Sequence, residues 1–348
     1  MTCFHRLVKG FAPPVCPLHA GRVLPRNFVS LIVIGLLLAE PSWHGPLHAA
    51  EPLQTCVKRL MRGRRGSAIV SNPVTGEVLA VSNPEVAFER AYPPGSTAKV
   101  VASAVALEAK ALSPRDHILC RRVPELLGSA YHCSHPPATV PFTLTDALAN
   151  SCNYFFAALS TRLTSTSLAH GYALFGFGSP ADGVGMKSNP GQIRVGDDAT
   201  AKVRAALGEG TVLVTPAQLL LAYSAIANRG QVFRLWKSPS RQNAVLLRQV
   251  PLKPETFDIL RTGLEECVRS GTGQGAAVEG VRVAGKTGTA AALDGSRTTH
   301  AWFVGFAPIE APEIALVVFL ERGTGARDAA PLAGRILNHY FALKGRKR

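Results

Sequence analysis

Residues 301–320 read AWFVGFAPIEAPEIALVVFL. Two apolar runs, Ala301–Ala307 and Ile314–Leu320, flank a Pro-containing break, and both read as strands. Upstream, Val281–Ala284 reads as a third strand, with Lys286-Thr287-Gly288-Thr289 on or beside it. The other end of the chain is β-prone too. SAIVSN and EVLAVSN, within Gly66–Pro84, are separated by Pro73-Val74-Thr75-Gly76 and predict a hairpin. Between these ends the pattern is helical. An Ala-rich run, STAKVVASAVALEAKAL, opens at Ser96 behind the breaker Tyr92-Pro93-Pro94-Gly95. Thr143–Ala149 and Tyr154–Leu163 are short helices around a break at Asn150-Ser151-Cys152-Asn153. Pro216–Asn228 has Pro in its first turn and Gly230 past its end. Pro254–Val268 and Asp328–Lys344 complete the helices, while Leu112–Pro141 reads as irregular and Gly176–Gly210 as loop-rich. Strands at both ends with helices between them predict an α+β fold. Its antiparallel sheet is built from N- and C-terminal strands, is flanked by helices, and carries a mostly helical second lobe. A doubly wound βαβ sheet would alternate strand and helix differently.

The 348 residues, 47% of them hydrophobic, suffice for one large domain or one domain with a second lobe. Gly and Pro are scattered, which excludes a low-complexity chain, and no repeat of a solenoid's period is visible. The net charge of +15 is spread along the sequence, with no lysine-rich arm and no basic motif with interleaved aromatics. No nucleic-acid partner is therefore expected. The basic surface is solvated, or attracts carboxylate-bearing ligands or anionic lipid.

Phe28–Ala39, FVSLIVIGLLLA, is an uncharged apolar run behind Arg6, Lys9, Arg22 and Arg26, and Glu40-Pro41 ends it. A spanning helix needs roughly 20 residues. The run is shorter and suits the apolar region of a secretory signal, with cleavage after Ala49; an uncleaved anchor is the alternative. Either version exports the remainder of the chain to the periplasm or another extracytoplasmic space. The expected division is a leader at 1–50, a short linker at 51–65 and the main domain at 66–345. Cys120 and Cys133 flank a segment able to fold as a hairpin and to form a disulfide after export. Zinc held by Cys120, His132, Cys133 and His135 is a rival reading, although the C-x-x-C spacing is missing; two free thiols are a third.

Three short elements carry chemistry. Ser96 and Lys99 stand at i and i+3, on one face of a helix, with the serine at its dipole-positive start. A serine needs a nearby base, and lysine serves when burial or a second cation lowers its pKa. Ser151 and Asn153 can point the same way from a loop, with Cys152 turned back into packing; Ser151 would relay a proton and Asn153 bond a peptide carbonyl. Lys286 adds a cation that depresses Lys99 and attracts a carboxylate, Thr287 bonds that carboxylate, and Gly288 admits a substrate backbone. The backbone N–H groups of Ser96 and Thr289 would form an oxyanion hole. Taken singly, each element also reads as a helix cap or an exposed turn.

Taken in order, S-x-x-K, S-x-N and K-T-G resemble the signature of serine β-lactamases and penicillin-binding proteins. The contexts PPGSTAKV, ALANSCNYFF, VTPAQLLLAYSAIANRG, RSGTGQGAA, VAGKTGTA and HAWFVGFAP match as well. From about Gly66 onward the chain resembles a penicillin-binding transpeptidase domain, closest to class B. The resemblance implies a β-lactamase/transpeptidase-like fold in which Ser96 attacks the D-Ala-D-Ala bond of a peptidoglycan stem peptide. The acyl-enzyme then passes to an amine, and β-lactams acylate the same serine. It implies Lys99 as the base, Ser151, Asn153 and Lys286 as catalytic partners, and Thr287, Gly288 and Thr289 as substrate-binding residues. No metal or organic cofactor is implied, and membrane-bound cell-wall synthesis proteins are possible partners. A D,D-carboxypeptidase, a β-lactamase or a β-lactam sensor would use the same nucleophile. The chain departs from the family pattern at Glu209, where Gln is common and which adds a negative charge near the cleft entrance, and at Val100, where Pro is common. Residues 51–65 leave room for neither a class B pedestal nor a class A glycosyltransferase, so a minimal domain with its scaffold on another chain is expected.

Overall fold

The computed structural model describes residues 51–181, 183–237 and 244–345; the leader with its apolar run and the basic tail 346–348 lie outside the described residues. The N-terminal elements are α1 (Leu53–Met61), β1 (Gly66–Ser71), β2 (Val78–Ser82) and α2 (Pro84–Phe88). The central ones are α3 (Lys99–Glu108), α4 (Leu144–Ala149), α5 (Asn153–Ser160), α6 (Ser165–Leu174), β3 (Gln192–Ile193), α7 (Ala199–Ala206), β4 (Val212–Leu213) and α8 (Pro216–Ala227). The C-terminal ones are β5 (Gln231–Phe233), β6 (Leu246–Gln249), α9 (Pro254–Arg269), β7 (Ala284–Ala291), β8 (Thr299–Ala307), β9 (Ile314–Leu320) and α10 (Ala330–Gly345).

Five strands form one antiparallel sheet in the order β2-β1-β9-β8-β7, so the first and last parts of the chain share it, as expected. Its central strands are covered on both faces. Trp302, Val304 and Phe306 of β8 and Ala315, Val317 and Phe319 of β9 join the core of the helical lobe. Their neighbours Ala301, Phe303, Leu316, Val318 and Leu320 join Val57 and Leu60 of α1 and Ile336 and Leu337 of α10. Side chains still alternate between faces, but both sets are apolar, so the sequence shows an unbroken run.

Residues 51–65, expected as a linker, hold α1. Cys56, Val57, Leu60 and Met61 lie buried on one face of this helix. The Gln54 side chain both donates to the Val81 carbonyl (2.8 Å) and accepts from the Val81 N–H (3.1 Å), occupying outward-facing groups of edge strand β2. The third C-terminal strand also differs from expectation. It runs over Ala284–Ala291, not Val281–Ala284, so the Lys286-Thr287-Gly288 run lies on the strand itself. Small and polar residues hide it in the sequence; eight pairings to β8, from Ala284↔Phe306 to Ala291↔Thr299, define it.

The helical lobe surrounds α8, every residue of which is buried, with Pro216 in its first turn and a capping box between Thr215 and Gln218. The sequence missed α2 and α6, as well as α7 and the two-stranded pairs β3–β4 and β5–β6 inside or beside the loop-rich stretch. No described helix is long and apolar enough to cross a membrane.

If α1 is an integral part of the sheet's cover, Leu60→Ala should lower the unfolding free energy by about 2–3 kcal/mol, within the range for truncating a buried leucine. Chemical denaturation of the two proteins measures this. A change below about 0.5 kcal/mol, typical of a surface site, would show that the helix is dispensable.

Candidate active site

Ser96 lies in a 3-10 turn, Gly95–Ala98, that runs directly into α3, whose first residue is Lys99. In 3-10 geometry residues i and i+3 eclipse one another, so the tighter turn stacks the pair more closely in register than an α-helix would. Lys99 is wholly buried. Its Nζ donates to Asn153 Oδ1 (2.6 Å), the Ser151 carbonyl (2.7 Å) and Ser151 Oγ (3.3 Å), which uses the three donors of an ammonium. The Phe156 ring centroid stands 5.4 Å away on one side. Lys99 is therefore held to one position by the loop between α4 and α5.

That loop is built for the purpose. A capping box between Thr143 and Asp146 starts α4, which ends at Asn150. Ser151 then adopts φ +54°, a left-handed conformation costly for a residue with a Cβ. Cys152 caps α5, accepting the Phe155 N–H on Sγ at 3.4 Å, and is fully buried, as expected from the sequence. Asn153 uses one N–H on the Tyr131 carbonyl at 3.0 Å.

Lys286 of β7 is also wholly buried, with Nζ donating to the Thr287 carbonyl at 3.1 Å. Burial first, and then the positive charge of Lys286, pull Lys99 down to about 7. Burial lowers Lys286 as well. A lysine near 7 is partly neutral at physiological pH and able to accept a proton. Thr287 Oγ1 lies 2.6 Å from Thr272 Oγ1, and Thr289 Oγ1 accepts the Gly325 N–H at 3.0 Å.

Ser96, Ser151, Asn153, Thr287 and Thr289 line one cleft of about 370 Å³, with Lys99 and Lys286 buried. A larger cleft of about 660 Å³, around Arg90, Tyr92, Asn189 and Glu321, contains none of the motif residues. Gly288 also has a packing role. A Cβ there would lie 2.8 Å from the Pro94 carbonyl and 2.9 Å from Thr97 Cγ2, so the missing side chain lets the Ser96 turn press against β7.

The chain is similar to known proteins. Residues 66–338 match the family model of the penicillin binding protein transpeptidase domain. The chain belongs to this family. Stage V sporulation protein D of Bacillus subtilis is 32% identical over 324 residues, a match covering 80% of this chain and 49% of that protein. Peptidoglycan D,D-transpeptidase PbpA of Mycobacterium tuberculosis is 28% identical over 344 residues, covering 81% and 67% respectively. The transpeptidase domain thus spans about half the length of the first of these relatives and two thirds of the second. Among solved structures, the D,D-transpeptidase domain of a peptidoglycan glycosyltransferase from Eggerthella lenta superposes with a TM-score of 0.73 at 23% identity, over 85% of this chain and 82% of that one. The imipenem acyl-enzyme complex of M. tuberculosis penicillin-binding protein A gives 0.71 at 25%, over 83% and 78%.

Five cleft residues of this transpeptidase domain went unmarked in the sequence: Ser134, Thr272, Thr324, Ala326 and Arg327. Thr272 falls within RSGTGQGAA, quoted only as flanking context, and its bond to Thr287 gives it a place beside the K-T-G strand. The others come from an irregular loop and from the π-turn Gly325–Ala329 with its N-cap Thr324, which have no sequence signature. Glu209, the departure in the Gly208-Glu209-Gly210 segment, sits beside the nucleophile turn, where the Gly95 N–H donates to the Gly208 carbonyl at 2.9 Å. Burial raises Glu209 to about 7, opposed by the Ala291 amide and the Lys99 charge.

Gly288→Ala is expected to push the Ser96 turn off β7 and to cost about 1–3 kcal/mol, as overpacking does. Thermal unfolding and a structure of the variant read this out. An unshifted turn with unchanged stability would contradict the packing role.

Proposed function

We propose that the chain is a serine D,D-transpeptidase that acts on peptidoglycan stem peptides ending in D-Ala-D-Ala and that penicillins acylate it. One observation carries the reading: a buried lysine near neutral pKa, fixed by Asn153 and Ser151, one 3-10 turn beyond Ser96. Neutral Lys99 takes the Ser96 proton as Oγ adds to the penultimate D-Ala carbonyl. The oxyanion is held by the backbone N–H groups of Ser96 and Thr289. The proton returns, through Ser151, to the leaving amine of the terminal D-Ala, and the C–N bond breaks. An amine from a second stem peptide then attacks the acyl-Ser96 ester and loses its proton to Lys99; the ester C–O bond breaks, Ser96 Oγ takes that proton back, and the new amide is the cross-link. Thr287 and the Lys286 charge favour the substrate's terminal carboxylate. The chain works outside the cytoplasmic membrane, exported by the leader.

Hydrolysis of the acyl-enzyme by water would make the chain a carboxypeptidase with the same residues. A β-lactamase is less well supported, because Asn153 makes a short polar contact to Lys99 where class D enzymes favour an apolar residue.

Incubation with a fluorescent penicillin should give a stable covalent adduct on the chain and none on Ser96→Ala. With a stem-peptide donor and an added amine, the transferred product should exceed the hydrolysed one. The acylation rate should rise with pH through about 7 as Lys99 loses its proton. The Glu209 carboxylate favours the charged lysine, so Glu209→Gln should move that midpoint to lower pH. No adduct on the folded chain would overturn the reading; rapid turnover of the adduct would make the chain a β-lactamase.

A further inference from the structure

Against the Ser151 loop, Cys120, Cys133, His135 and Cys152 converge. All four are buried, and their ligand atoms lie within 4.8 Å of one another. The Sγ atoms of Cys120 and Cys133 are 3.6 Å apart, those of Cys133 and Cys152 3.7 Å, and Cys120 Sγ is 3.6 Å from His135 Nε2. A disulfide needs about 2.05 Å, so the thiols are unbridged. A tetrahedral zinc with metal–sulfur bonds of about 2.3 Å and metal–nitrogen bonds of about 2.0–2.1 Å separates its ligands by about 3.8 Å (S to S) and 3.5 Å (S to N). Three of that tetrahedron's six edges are matched, and the other three are each no longer than 4.8 Å.

The surroundings are also those of a metal site. Each sulfur accepts a backbone N–H: Arg122 to Cys120 and Tyr154 to Cys133 at 3.3 Å, and Phe155 to Cys152 at 3.4 Å. His135 Nδ1 stands 2.7 Å from the Pro136 carbonyl, which can only accept. The proton is therefore on Nδ1, and the Nε2 lone pair faces the cluster, as in metal-ligating histidines. Arg122 donates to the Cys133 and His135 carbonyls at 3.1 and 2.8 Å, placing a positive charge beside a three-thiolate site that would carry net negative charge. His132, the ligand suggested by sequence spacing, is exposed and contacts the Ser129 carbonyl instead. Cys152 takes its place.

We propose that Cys120, Cys133, His135 and Cys152 bind a structural zinc ion that positions the active-site loop. Three cysteines and one histidine form a closed set for zinc, with no ligand position left for substrate. The ion takes no part in the acyl transfer. Its position is what matters: Cys152 lies between Ser151 and Asn153, the two residues that hold Lys99. Ser134, between two other ligands, lines the cleft, and the Tyr131 carbonyl accepts from Asn153. The ion would tie the irregular 120–136 segment to the turn that aims the lysine, without a disulfide.

Metal analysis of the full chain purified with added zinc tests this apart from the transpeptidase reading, since zinc content does not depend on the reaction. About one zinc per chain is expected, kept in His132→Ala and lost in Cys120→Ser and His135→Ala. If those variants fail to fold, cobalt added to the chelator-treated wild-type chain should give thiolate-to-metal charge transfer and tetrahedral visible bands. Stripping the metal should slow penicillin acylation about tenfold, reversibly, in line with the effect of removing groups that orient a site. A wild-type chain that takes up neither zinc nor cobalt, or a native disulfide among the three cysteines, would overturn the site. Unchanged acylation in the stripped chain would overturn its positioning role.

Discussion

The buried Lys99 ammonium and its three acceptors are the constraint on which the rest of the site depends. A lysine removed from water is costly unless its donors are satisfied or it gives up its proton. Here both options are kept open. Asn153 and Ser151 satisfy the charged form, while burial and Lys286 favour the neutral one. The balance leaves a group that can gain or lose a proton near pH 7 beside a serine on the same turn. It accounts for several otherwise expensive features: the left-handed Ser151, a second buried lysine, and two glycines, Gly288 and Gly208, where a Cβ would strike the Pro94 and Gly95 carbonyls of the nucleophile segment.

The architecture supplies what this arrangement needs. The serine and lysine come from the start of α3, their partners from the α4–α5 turn, and the second lysine from an edge strand. Three separate segments converge because β7 is fixed through β8 and β9 to the sheet core, whose two faces are both packed. The Ser96 turn packs on β7, an edge strand of the sheet, and Gly288 is where the two meet.

Much of this was legible in the sequence, for physical reasons. β8 and β9 stood out because burial on both faces gives unbroken apolar runs, and the hairpin because its turn is rich in breakers. β7 was misplaced because AGKTGTAA is small and polar, its strand character coming from pairing and not from composition. α1 passed for a linker because Lys58, Arg59 and Gln54 mask its one apolar face. The order and flanking context of three short motifs, and their resemblance to a known signature, singled out Ser96, Lys99, Ser151, Asn153 and Lys286–Thr289, and the fold brings the described cleft residues among them to one cleft, with Lys99 and Lys286 buried. The cysteine cluster shows the limit of spacing. Sequence proximity suggested His132, whereas the fourth member, Cys152, arrives from beyond α4 through tertiary packing.

The central claim is that Lys99 titrates near neutrality inside the folded chain. A lysine-detected NMR titration, with Lys99 assigned by its absence from Lys99→Met, measures this directly. A midpoint at about 7 is the expected result. A midpoint near 10.5, the ordinary lysine value, would contradict the account, because Lys99 would then stay charged at the pH where Ser96 must lose its proton.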